Sequence, residues 1–95
     1  MKTAISFDNE GSDIYTLIEV DTRDRPGLLF DLARTLAASH VQIASAVIAT
    51  YGEQAVDTFY VKDMFGLKLY SLSKQRTLDA RLREAITAGQ ERAKS

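Results

Sequence analysis

The sequence predicts an α+β sandwich, and three observations carry that reading. Four stretches alternate apolar and polar residues with a period of two, and two others repeat apolar residues every three or four places. They follow one another as strand, strand, helix, strand, strand, helix. Each helix is apolar on one side only, so both must lie against a common sheet. Ninety-five residues suit one domain with one core, expected over residues 3–89 with tails at 1–2 and 90–95.

Composition narrows the class further. The chain is 45% hydrophobic and 26% charged, as globular domains are, and twelve basic residues against thirteen acidic ones leave a net charge of -1. That balance argues against a nucleic-acid partner. Without cysteine there is no disulfide, thiolate nucleophile or cysteine zinc site, and no metal or cofactor motif is found. The opening MKTAISFDNE has no apolar run of signal-peptide length, and no later segment approaches a membrane span. A soluble, cytoplasmic protein with no membrane partner is the expectation.

The elements are justified in order. Ile5 and Phe7 alternate with Ala4, Ser6 and Asp8, giving a short strand over 3–8. A turn-rich loop over 9–13 leads to a second strand over 14–21, with Ile14, Thr16, Ile18 and Val20 on one face and Tyr15, Leu17, Glu19 and Asp21 on the other. Leu28, Leu32 and Leu36, flanked by Leu29, Ala33 and Ala37, form the core stripe of a first helix. That places Phe30 on its far side. Ser39 and His40 close the helix, where the only histidine reads as structural.

Residues 41–51 are β-branched and small, with Val41, Ile43, Ser45, Val47 and Ala49 predicted on one face and Gln42, Ala44, Ala46, Ile48 and Thr50 on the other. Gly52 and Glu53 turn the chain into a partner strand over 54–62, in which Ala55, Phe59 and Val61 share a face. The segment 63–71 is too apolar for a free loop and is expected to pack. Ser73 is the predicted cap of a last helix carrying Leu78, Leu82, Ala85 and Ile86 and ending near Gly89.

A right-handed crossover through the first helix makes the second and third strands parallel, with one strand's width between them. The ferredoxin-like plait meets this condition: a four-stranded antiparallel sheet with two helices on one face. Its usual last edge strand is missing, so the N-terminal strand is expected to supply that edge. Tyr15, Leu17, Ala46, Ile48, Val56 and Tyr60 would then leave an apolar second face, from which self-association or pairing with another domain is expected.

The segment DTRDRPGLLFDL joins the second strand to the first helix, and it is the candidate site. Pro26 is read as belonging to the first helical turn, and Gly27 admits a close approach to the N-H groups of Gly27, Leu28 and Leu29. A helix start attracts an anion such as a carboxylate, while Arg23, Asp24 and Arg25 add charges of both signs. A zwitterion suits that corner. The alternative is plain helix-start chemistry in which Asp24 or Arg25 occupies the cap.

DRPGLL opening a helix, followed by VQIASA and a hairpin, resembles the ACT domain, a small regulatory module that binds amino acids. The string YGEQAVDTFYVKDMFGLKL narrows the resemblance to the ACT domains of bifunctional PII uridylyltransferases, enzymes of bacterial nitrogen control. It covers residues 14–86 and extends to the leading strand. It implies a glutamine sensor acting on the catalytic domains of a parent enzyme and, through them, on PII, with a sibling ACT domain or a second copy as partner. It also implies an effector between Arg23, Asp24, Arg25, Pro26, Gly27, Leu28 and Leu29 on one side and Val41, Gln42, Ile43 and Ala44 on the other. ACT domains commonly carry Asn where Gln42 stands.

Within that picture, N-H groups after Pro26 would take the α-carboxylate, Asp24 the α-ammonium and Gln42 the side-chain amide. One histidine and no Gly-Ser-Asp-x-Asp stretch leave the chain without the parent's catalytic machinery, so a non-catalytic regulatory fragment is expected. A second reading stays open: an interaction module that pairs with its sibling and holds no ligand.

Overall fold

The structure is a computed structural model and describes residues 2–94; Met1 and Ser95, in the expected tails, lie outside the described residues. Its elements are β1 (Ala4–Asp8), β2 (Thr16–Arg23), α1 (Leu28–Ala38), β3 (Gln42–Tyr51), β4 (Gln54–Lys62) and α2 (Leu72–Lys94). The sheet order is β1-β2-β4-β3 and every neighbouring pair is antiparallel. β2 and β3 are therefore parallel with β4 between them, and β1 takes the outer edge beside β2. This is the ferredoxin-like plait, closed from the N-terminal side as the element order predicts.

One core holds the layers together. Ile18 and Val20 of β2 and Ala55, Phe59 and Val61 of β4 meet Leu28, Leu32 and Leu36 of α1 and Leu78, Leu82 and Ile86 of α2. β-branched and aromatic side chains on the sheet face leucines at helical spacing, which is why the two periodicities resolve into two layers. The β3–β4 hairpin turns at Gly52 and Glu53, where Gly52 has φ +62° and Glu53 does not share the positive φ, as in a type II′ turn.

Four local expectations are corrected. The register of β3 against β4 shifts between Ile43 and Ser45, so a bulge at Ala44 reverses the faces beyond it. Ile43 pairs with Val61 on the helix-bearing side, and so do Ala46 with Phe59 and Ile48 with Asp57; Ser45, Val47 and Ala49 lie on the open side. Ala46 and Ile48 thus leave the open face, on which Tyr15 and Tyr60 pack edge to face with centroids 6.2 Å apart.

The cap of α2 is Ser71 rather than Ser73, with the Ser71 Oγ accepting the Lys74 N-H at 3.3 Å. The helix also runs through Gly89 to Lys94. Finally, segment 63–71 buries only Leu69, whose N-H donates to Thr16 Oγ1 at 2.8 Å. Met64, Phe65, Leu67 and Tyr70 stay exposed because the Asp63 carboxylate ties the loop to itself, accepting the Phe65 and Leu67 N-H groups.

His40 has a structural place. It stands at φ +62°, with its N-H donating to the Ala37 carbonyl and the Val41 N-H to the Leu36 carbonyl, the paired bonds that end a helix through a left-handed residue.

Candidate functional site

Two elements build the corner: β2 delivers the chain at Arg23, and α1 leaves at Leu28. Between them Arg25, Pro26, Gly27 and Leu28 form a tight turn, with the Leu28 N-H donating to the Arg25 carbonyl at 3.2 Å and Gly27 at φ +82°. Pro26 then Gly27 at the two central places is type II turn chemistry, so Pro26 precedes the helix instead of entering its first turn. Gly27 is the N-cap and offers no side chain.

The bond from Leu28 removes one of the three expected free donors. Asp31 donates to the Gly27 carbonyl, while the N-H groups of Gly27, Leu29 and Phe30 find no partner among the described residues. Neither Asp24 nor Arg25 caps the helix. The exposed Leu29 and Phe30 side chains stand beside these donors.

The charged residues divide into two groups. Arg23 is exposed 3.5 Å from the Glu53 carboxylate, and Asp24 is exposed with its N-H donating to the Glu53 carbonyl at 2.7 Å. Arg25 turns inward. Its guanidinium donates to the Asp31 carboxylate at 2.8 Å and lies against α2 so closely that a Cβ at Gly89 would fall 1.8 Å from Nη2. Arg92 reaches the same Asp31 oxygen at 2.8 Å. Arg25 thus clamps the two helices at the corner.

The second group of expected site residues lies elsewhere. Val41 is buried, Ile43 half-buried and Ala44 exposed at the bulge, while Gln42 donates from Nε2 to the Met64 carbonyl at 3.4 Å. Arg23 pairs with Gln54 at one end of β4, whereas Gln42 pairs with Lys62 at the other. Those ends are separated by the length of the strand, roughly 26 Å. One chain therefore does not bring the corner and the 42–44 segment together. A cavity of about 450 Å³ opens at the Gln42 end, lined in part by His40, Val41, Met64, Lys74 and Arg81.

Asp57 escaped the sequence reading. It stands on the helix-bearing side of β4 between Val20 and Ile48, only 2% exposed, and its Oδ1 has no hydrogen-bond partner. Burial raises its pKa above the ordinary carboxylate value, and the charge of Asp24 raises it further. The signal was present in the period: an acid occupies the strand face otherwise held by Ala55, Phe59 and Val61.

Among the described residues no group of three or more His, Cys, Asp or Glu is placed to hold a metal, and no helix is long and apolar enough to cross a membrane.

Comparison with known proteins agrees with this fold. The model of an ACR9-like, ACT-like domain matches residues 4–90. A bifunctional uridylyltransferase/uridylyl-removing enzyme of Ruegeria pomeroyi is 77% identical over 91 residues, 96% of this chain and 10% of that protein. Proteins of the same name from Cereibacter sphaeroides and Azospirillum brasilense are 73% and 51% identical over 97% and 86% of the chain. The chain thus spans about a tenth of the length of these relatives. No solved structure matches. With its match running from β1 into the last turns of α2, the chain belongs to the ACT-like domains.

Proposed function

We propose that this chain is the glutamine-sensing ACT domain of a bifunctional uridylyltransferase/uridylyl-removing enzyme, regulating its action on PII in nitrogen control. The observation that carries the reading is the uncapped start of α1, where the N-H groups of Gly27, Leu29 and Phe30 find no partner among the described residues and the exposed Asp24 comes three residues before Gly27 in the chain. Free donors at a helix start suit an α-carboxylate, and a neighbouring acid suits an α-ammonium. Similarity to the named enzymes supplies the parent's activity, and glutamine follows from the kinship with ACT domains.

The pairing partner is a sibling ACT domain or a second copy. β3 is an edge strand of ten residues with no charge and no proline, features that invite another strand. Antiparallel pairing of two β3 strands about a two-fold axis sets the Gln42 end of one beside the Tyr51 end of the other, the end at which the corner lies. Two copies would thereby complete a site whose parts lie apart in one. The separation of those parts also favours the second reading, a pairing module without ligand.

Glutamine titration of the chain, followed through amide chemical shifts with glutamate and serine as controls, decides between them. Selective movement at Gly27, Leu29, Phe30 and residues 42–44, weakened at least about tenfold in Asp24→Ala, is expected. Self-association without any selective shift overturns the sensor and leaves the pairing module.

A further inference from the structure

The cavity at the far end of the helices is a second place where a small molecule fits. It opens where α1 ends and α2 begins, and its volume of about 450 Å³ is that of a small-molecule site. The eleven residues of α1, roughly 16 Å of helix, separate it from the corner, and residues 42–44 take no part in its walls. It is therefore distinct from both halves of the effector site.

Three parts of the chain wall it. Ala38 and Val41 come from the end of α1, Met64 and Leu69 from the loop after β4, and Lys74, Thr77, Leu78 and Arg81 from α2. The last four stand at places i, i+3, i+4 and i+7, the spacing that keeps side chains on one helical face. Val41, Leu69 and Leu78 are buried and give the cavity an apolar floor. Lys74 and Arg81, at the two ends of the stripe, are exposed and set positive charge at its mouth.

The fold makes little use of these two cations. Arg23, Arg25, Arg83 and Arg92 each reach a carboxylate, whereas neither Lys74 nor Arg81 makes an ion pair among the described residues. Arg81 donates to Ser39 Oγ at 3.1 Å, a neutral partner. Asp63 is the one acid in the wall, and its Oδ1 already accepts the Phe65 and Leu67 N-H groups at 2.8 and 2.9 Å. The chain as a whole carries a net charge of -1, so this local excess of positive charge is not a general property of its surface. An apolar floor beneath two unpaired cations is the complement of an organic anion.

We propose that this cavity binds a small organic anion, with its phosphate or carboxylate group held by Lys74 and Arg81 and its apolar body resting on Val41, Leu69 and Leu78. The site does not depend on the effector-site reading at the start of α1. Its occupant touches the end of α1, the loop 63–71 and the face of α2 together, and so fastens three segments that are distant in sequence.

Phenyl phosphate and benzoate present the two anionic groups on one apolar body, inorganic phosphate presents the anion alone, and phenol the body alone. Each is titrated into the wild-type chain and into Lys74→Gln and Arg81→Gln, whose exposed side chains lie outside the core, and amide chemical shifts are followed. Phenyl phosphate, benzoate or both are expected to move Val41, Met64, Lys74 and Thr77 saturably while Gly27 and Leu29 stay still. Affinity is expected to fall at least about tenfold in each variant. The tighter of the two probes assigns the site to phosphate or to carboxylate. Inorganic phosphate binding as tightly as phenyl phosphate marks an adventitious ion only and overturns the proposal. Phenol binding as tightly as the anions overturns it as well, since the cations would then recognise nothing. Unchanged affinity in both variants, or no saturable shift at millimolar concentration, has the same consequence. Movement at Gly27 and Leu29 alone places the anion at the corner, which removes this site and leaves the corner's reading standing.

Discussion

Asp57 shows at the scale of one residue what burial without a partner does to an acid. Its folded-state pKa is raised, so between the ordinary aspartate value of about 4 and the raised one the folded chain binds more protons than the unfolded chain. Its contribution to stability therefore falls as pH rises through that window. Asp57→Asn removes the decline. In thermal melts without ligand, the variant is expected to gain on the wild type as pH climbs above about 4 and to be the more stable at neutral pH. A constant difference across the window would show that burial does not perturb this acid. His40 makes the contrasting point, since its left-handed backbone fully explains its place at the end of α1.

Elements are joined at the corner by Arg25. Its guanidinium bonds Asp31 of α1 and packs on Gly89 of α2, with both members of the ion pair largely shielded from water. A glycine inside a helix ordinarily costs about 1 kcal/mol relative to alanine. Gly89 reverses that sign. Gly89→Ala drives the guanidinium off α2 and loses charged hydrogen bonds of roughly 1.5–3 kcal/mol, for a net destabilisation of about 1 kcal/mol by urea denaturation. Stabilisation by the substitution would mean that the clamp is slack. Arg25 looked like a ligand group when only its neighbours in sequence were known, because the helix it packs against comes much later in the chain, its guanidinium reaching the Ala85 carbonyl 60 residues on at 3.5 Å.

For the whole molecule, the decisive feature is the open edge at β3. Strand pairing about a two-fold axis at the middle of Gln42–Tyr51 sets Val47 near its own copy. Val47→Lys would place two like charges there. Sedimentation is expected to show a monomer with an unchanged circular dichroism spectrum, and the glutamine-induced amide shifts are expected to vanish with the pairing. A Val47→Lys chain that still associates locates the interface on another surface.

Much of this architecture was legible in the sequence, since periods of two and four residues reflect local backbone geometry that holds wherever the element packs. Element order and the right-handed crossover then left the leading strand one free edge, the place beside β2 that it occupies. Aspects that depend on distant partners were not legible. The bulge at Ala44 moved Ala46 and Ile48 to the other side of the sheet because a single unpaired residue inverts every later side chain. Pro26 reads from the sequence as part of the first helical turn, yet the Leu28 to Arg25 hydrogen bond puts it in a turn that precedes α1. By itself the sequence determined the elements, their order and the corner. Only the tertiary structure decided that Arg25 is spent between helices, that Asp57 is buried unpaired, and that the corner and Gln42 lie at opposite ends, because each depends on which distant atoms the folded chain brings into reach.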